Sequence, residues 1–164
     1  MKSKIDDLKE IYDKCIASGY IREKNEVDIE LIKSLKKVAE AGLDFIKDKS
    51  KSIKKDSTDW TFVFRDYYES LRGLIEAYLL FDKIEVENHQ CKFTYMCHKH
   101  PELEFEWQFL ETIRLKRNAI NYRGQMLVAS DWNMISLNFN LHIDKLKAEL
   151  NKKISEHENK NIEK

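Results

Sequence analysis

The sequence predicts an all-α domain, an up-and-down bundle of four core helices preceded by an N-terminal helix. Three observations carry that expectation. Apolar residues recur at three- and four-residue intervals through most of the chain, the period of a helix with one buried face. The 164 residues include only 4 Gly and 1 Pro, too few for a sandwich or barrel, which needs a turn about every 8–12 residues. Finally, 42% of residues are apolar and 11% aromatic, enough to build a core and to argue against disorder. The length suits one domain over residues 1–164, without internal repeat or linker.

Each element has its own signal. Residues 3–17 place Ile5, Leu8, Ile11, Tyr12, Cys15 and Ile16 on one side, and Ser18-Gly19 ends that helix, glycine being free to take the left-handed closing conformation. A second helix is expected from about 28 to 48, with Leu31, Leu35, Val38, Gly42, Phe45 and Ile46 inward. Ser57, Thr58 and Asp59 are suitable N-caps for a third, which runs from about 60 to 83. Its wide apolar face (Trp60, Phe64, Tyr67, Tyr68, Leu71, Leu74, Ile75, Tyr78, Phe81) is that of a central helix. Residues 84–100 read as a mixed segment with at most one short helical turn. Pro101 then suits the first turn of a helix to about 121, with Glu102, Glu104 and Glu106 at its positive end and Gly124 as its stop. The last helix begins near Ser130-Asp131, with Trp132, Ile135, Phe139, His142, Ile143, Leu146, Leu150 and Ile154 inward. Beyond Ser155 the tail is polar and is expected to fray.

Composition narrows function more than it names it. Lys plus Arg number 29 and Asp plus Glu 29, which excludes a bulk polycation and leaves room for local patches. The N-terminal MKSKIDDLKEIYDKC has no apolar signal-peptide core. No stretch approaches the roughly 18 apolar residues that span a bilayer. A cytoplasmic protein without a membrane partner is expected. Cys15, Cys91 and Cys97 are odd in number and widely spaced, and read as reduced thiols.

The helix after Pro101 carries the unusual chemistry. Leu103, Trp107 and Leu110 share one side, and Arg114, Arg117 and Asn121 continue it. An unpaired guanidinium is costly to bury. Either carboxylates meet these arginines, or the bundle opens there into a cleft or subunit interface. Asn118, Tyr122 and Arg123 add donors beside them. Segment 114–123 holds Arg114, Lys116, Arg117 and Arg123 with no acid, and arginine's planar fork suits phosphate. Arginines that merely bridge helices are the structural alternative.

The run IRLKRNAINYRG at 113–124, closing one helix before another long one, resembles the motif region of HEPN domains (higher eukaryotes and prokaryotes nucleotide-binding). FRDYYESLRGLIEAYLL at 64–80 is similar to that family's aromatic central helix. NHQCKFTYMC at 88–97 resembles a stretch that often starts with a His-containing turn. The resemblance spans about residues 60–155, with residues 1–50 as a helical extension. It implies a bundle that dimerises through its motif helices. Active members are metal-independent ribonucleases of single-stranded RNA, in which the Arg stabilises the scissile phosphate. A His four to six positions on assists proton transfer. Other members pair with a nucleotidyltransferase in toxin–antitoxin operons. On this pattern Arg117 matches the family arginine and Asn118 its polar follower. Tyr122 stands after the four-residue gap in place of the His, and an unperturbed tyrosine, pKa about 10, is a poor base near neutral pH.

The expectation is therefore a homodimeric HEPN-like domain that binds RNA or a nucleotide, or acts as a partner in a toxin–antitoxin or defence system, without standard cleavage. No cofactor and no DNA partner are expected. An active ribonuclease whose base comes from elsewhere, and a non-enzymatic interaction bundle, are the alternatives. His89, Cys91, Cys97, His98 and His100 form H-x-C-x5-C-H-x-H, which holds enough ligands for zinc but matches no standard finger spacing. An interhelical loop with Phe93, Tyr95 and Met96 capping the core is the preferred reading. His98 or His100 reaching the arginines across a dimer is a further option. Lys47, Lys49, Lys51, Lys54 and Lys55 stand against one acid, Asp48, and form either a solvated helix end or a second phosphate contact. His142 reads as a hydrogen-bonded core histidine, and Trp60, Phe64, Tyr67, Tyr68 and Tyr78 as core rather than a stacking platform. There is no glycine-rich phosphate loop, H-E-x-x-H or nucleophile elbow.

Overall fold

The computed structural model describes residues 4–162, with only the backbone given for residues 4–6 and 161. Ser3 and the Ile5 side chain, both assigned to the first helix from sequence, lie outside the described residues. Among those described, the chain forms α1 (Lys4–Ala17), β1 (Ile21–Glu23), α2 (Ile29–Ser50), α3 (Trp60–Phe81), β2 (Ile84–Val86), α4 (His89–Lys99), a 3-10 turn (Pro101–Leu103), α5 (Trp107–Arg123), α6 (Ala129–Asn133) and α7 (Ser136–Ile162). This is an all-α bundle with one two-stranded antiparallel ribbon, in which Ile21 pairs with Val86 and Glu23 with Ile84. No helix among the described residues is long and apolar enough to cross a membrane.

α3 is the axis of the bundle. Phe64, Tyr68, Leu71, Leu74 and Ile75 along it are fully buried, and α2, α4, α5, α6 and α7 all pack on it. A helix buried nearly all round needs neighbours on every side. α2 approaches closest through small residues: a Cβ on Gly42 would sit 3.3 Å from the Ser70 hydroxyl, and one on Gly73 3.8 Å from Ala39. That contact turns Ile32, Ala39, Leu43 and Ile46 inward. Leu31, Val38 and Phe45, assigned inward from sequence, are exposed instead. Gly42 and Ile46 face inward as expected; apolar residues occur around most of α2, so periodicity alone passed over Ile32, Ala39 and Leu43.

Residues 84–100 differ most from expectation. They form β2 and then an 11-residue helix whose Cys91–Met96 are all buried. Asn88 caps it, its side-chain oxygen accepting the Cys91 N–H at 2.8 Å. Two of those buried residues are polar, which hid the helix. Lys92 is tolerated because its ammonium meets Glu76 at 2.9 Å, while Thr94 bonds the Gln90 carbonyl. Pro101 opens only the 3-10 turn. Glu104 then takes a left-handed φ of 53° and delays α5 to Trp107, so Glu102, Glu104 and Glu106 precede the helix rather than fill its first turn. The last helix is also split: α6 ends at Asn133, and α7 continues through the expected frayed tail to Ile162.

Cys15 and Cys91 form a disulfide across 76 residues, which overturns the reading of three reduced thiols. Cys97 alone is free, and burial pushes its thiol pKa up to about 12. The spacing concealed the pair because the two cysteines meet only when α1 lies along α4. Closing so long a loop removes much unfolded-chain entropy, worth about 4 kcal/mol in the chain-entropy account. Urea unfolding with and without a dithiol reductant should differ by that order. A difference under about 1 kcal/mol would show that the crosslink does not constrain the unfolded chain.

Candidate phosphate-binding cleft

The first turn of α4 and the C-terminal half of α5 are brought together by their packing on α3. α5 turns Phe109, Leu110, Ile113 and Ile120 into the core. This rotation places Arg114 and Arg117 at the core's rim, with side chains 17% and 23% exposed, rather than on the inward stripe itself. A cleft of about 360 Å³ opens there, lined by Glu87, Asn88, His89, Gln90, Arg114, Arg117 and Asn118. The positive end of α4 faces it.

His89 is the residue that sequence reasoning misplaced. It stood in a candidate metal cluster that the fold does not assemble, since no group of three His, Cys, Asp or Glu among the described residues could hold an ion. Cys91 is in the disulfide, and the Cys97 thiol donates to the Phe105 carbonyl. His98 stacks on Tyr12 with centroids 4.0 Å apart, and His100 bonds Asp82 and Glu102. Neither of these two histidines lines the cleft. His89 does, and its Nδ1 lies 2.8 Å from the hydroxyl of Tyr68, whose ring is fully buried. Burial raises the Tyr68 pKa above its ordinary value, so the hydroxyl keeps its proton. Burial, with Arg72 and Arg117 nearby, pushes the His89 pKa down to about 4, and the imidazole is neutral at physiological pH. The one sequence signal for this placement was Asn88, a good N-cap directly before it.

The cations around His89 are unevenly paired. Arg114 forks onto Glu111 through Nε and Nη2 at 2.8 and 2.6 Å, and Gln90 also donates to Glu111 at 3.0 Å. Arg72 lies between Glu69 and Glu76, and Lys92 meets Glu76. Arg117 has the weakest pairing, its Nε 4.0 Å from Glu69 Oε1, of a carboxylate whose other oxygen accepts from Arg72 at 2.8 Å, and Nη1 3.5 Å from the Asn118 side-chain oxygen. Glu87, at the cleft's edge, is paired with Arg22, so the remaining four cations (Arg72, Lys92, Arg114, Arg117) share three carboxylates (Glu69, Glu76, Glu111). One positive charge is left over, and Arg117 is where it resides.

The other sequence-assigned residues lie apart from the cleft. Asn121 is exposed one turn on, Tyr122 is 79% exposed, and Arg123 is exposed at the helix end; neither Tyr122 nor Arg123 lines the cleft. Lys47, Lys49, Lys51, Lys54 and Lys55 are all exposed, Lys51 meeting Asp48 at 3.4 Å and Lys49 lying over the Phe45 ring. His142 packs between Phe105 and Phe109, and burial lowers its pKa.

The His89 shift has a sign that can be tested. Its folded pKa lies below the ordinary 6.5, so between about pH 6.5 and 4 the unfolded chain takes a proton that the folded chain refuses. Stability is lost as pH falls through that window. Arg72, Arg117 and Lys92 oppose the charge and Glu69 favours it. His89→Gln should reduce the acid-side fall in Tm by about 2–4 °C, the equivalent of roughly 1 kcal/mol after solvent screening. An unchanged pH profile of Tm would contradict the shift.

No family model, curated protein or solved structure matches the chain.

Proposed function

We propose that this chain is a HEPN-like helical domain whose cleft binds the phosphate of an RNA or nucleotide. The observation that carries the reading is the convergence of Arg117, Arg114, Asn118 and His89 from two helices on one opening with one unneutralised positive charge. Arg117 would take the phosphate through its planar fork. Asn118 and Gln90 supply amide donors, and a neutral His89 supplies one further nitrogen. Arg114 is already satisfied by Glu111 and acts chiefly to hold that carboxylate away from the ligand. A role beside a nucleotidyltransferase-type partner, and dimerisation through the α5 face, rest on the family resemblance.

The position of His89 supports a second reading, metal-independent RNA cleavage. There a base takes the proton of the ribose 2′-hydroxyl as the 2′-oxygen bonds to the adjacent phosphorus. The P–O5′ bond breaks, and the departing 5′-oxygen takes a proton from water, leaving a 2′,3′-cyclic phosphate. A base works best with a pKa near the operating pH, and His89 lies well below it. That mismatch favours binding over cleavage.

Fluorescence anisotropy with a labelled single-stranded RNA at low salt tests both. The wild-type chain should bind, and Arg117→Ala should weaken binding roughly tenfold or more. The RNA should remain intact. Absence of binding, or affinity indifferent to Arg117, would overturn the proposal, and His89-dependent cleavage would replace it with the second reading.

A further inference from the structure

One turn of α5 beyond Arg117, about 6 Å along the axis, Asn121 lines a second pocket of about 380 Å³. Phe62, Arg65, Gln125 and Met126 form much of its wall. Phe62 is 51% and Met126 59% exposed, so an apolar ring and a thioether stand open to solvent on the two sides of one pocket. The lining carries an arginine and two side-chain amides and no carboxylate. Other surface grooves differ on this point: the one between α2 and α3 contains Asp66 and Glu69, and the one beside α7 contains Glu104 and Glu106.

Hydrogen bonds from the α5–α6 loop shape the pocket's wall. Gly124, in a left-handed conformation at φ 67°, closes α5 with bonds from its own N–H to Ile120 and from Gln125 to Ala119. Leu127 N–H donates to the Thr61 hydroxyl at 2.8 Å, and Thr61 in turn donates to the Met126 sulfur at 3.7 Å. Met126 is therefore fixed beside the first turn of α3, where Phe62 stands. The same loop reaches the lysine segment, since Ala129 N–H donates to the Lys55 carbonyl and the Trp60 indole donates to that of Lys54. The surface thus runs from the phosphate cleft, past an aromatic ring and a thioether, to two exposed lysines.

We propose that this pocket is a base-stacking subsite, and that the ligand is a single-stranded nucleic acid rather than a mononucleotide. The inference rests on the phosphate-binding reading of the neighbouring cleft. A base would lie on the Phe62 ring against Met126, with its edge open to the amides of Asn121 and Gln125. Arg65 and the Lys54–Lys55 pair would follow the backbone. Stacking suits any base, because every base has a π face, whereas amide contacts add only modest preference.

The test compares two probes by fluorescence anisotropy at low salt: a short labelled oligouridylate, and the same ribose-phosphate backbone with its interior bases removed. Phe62→Ala should weaken oligouridylate binding roughly five- to a hundredfold and leave the abasic strand unaffected. Phe62→Leu, which keeps apolar bulk without the ring, should weaken oligouridylate similarly. Arg117→Ala should weaken both strands. If Phe62→Ala leaves oligouridylate affinity unchanged while Arg117→Ala abolishes it, the subsite is refuted and the phosphate cleft stands. If neither strand binds the wild-type chain, both fall. If Phe62→Ala instead dissociates a dimer in sedimentation and spares RNA affinity, this face is an interface between copies, and the stacking subsite is overturned.

Discussion

The hydrogen bond between Tyr68 and His89 joins the core of the bundle to its cleft. Tyr68 sits on α3 with its ring fully buried, edge-on to Phe93 of α4, and only its hydroxyl reaches the rim. A buried hydroxyl needs a partner, and here the partner is the first residue of α4. The packing of α4 on α3 therefore decides where His89 lies, and the packing of α5 on the same axis decides where Arg117 lies. Neither helix makes the cleft alone. The disulfide adds a third constraint, because Cys91 lies two residues beyond His89 and ties that first turn of α4 to α1. Such bonds persist in oxidising compartments and inside some hyperthermophiles, so the redox state of the chain bears directly on the order of the site.

Charge distribution explains why Arg117 is the least satisfied of the arginines around the cleft. Arg114 and Arg72 are the better paired, and their carboxylates neutralise them in place. An incoming phosphate would gain little from either without breaking a fork that already satisfies the guanidinium. Arg117 shares its carboxylate with Arg72 and has the most to gain. Burial, reinforced by the same cations, keeps His89 unprotonated. The environment proposed to attract an anion would thus also weaken the base needed to cleave it.

Much of the bundle was legible in the sequence. The third helix, its aromatic core residues and the stops at Gly19 and Gly124 follow from periodicity and punctuation, and both glycines take positive φ. α4 was not legible, because six consecutive buried residues, Lys92 and Thr94 among them, show no helical alternation. The face of α2 was read in part: Leu35, Gly42 and Ile46 turn to the core as expected, while Leu31, Val38 and Phe45 are exposed and Ala39 makes the contact in their place. At the site, Arg117 and Asn118 stood out as part of an acid-free basic run. His89 did not, since its role depends on a partner contributed by another helix. Tyr122 illustrates the converse: it fills the motif position expected of a base and points into solvent.

The central claim is that a nucleic-acid phosphate enters between the first turn of α4 and the C-terminal half of α5. Backbone amide chemical-shift mapping with a short oligouridylate measures this residue by residue. The account predicts the largest perturbations at Asn88–Gln90 and Arg114–Asn121, with the groove at Glu104, Glu106 and Lys145 unaffected. Perturbations confined to the exposed lysines at 47–55, or absent from His89 and Arg117 at saturating ligand, would contradict it.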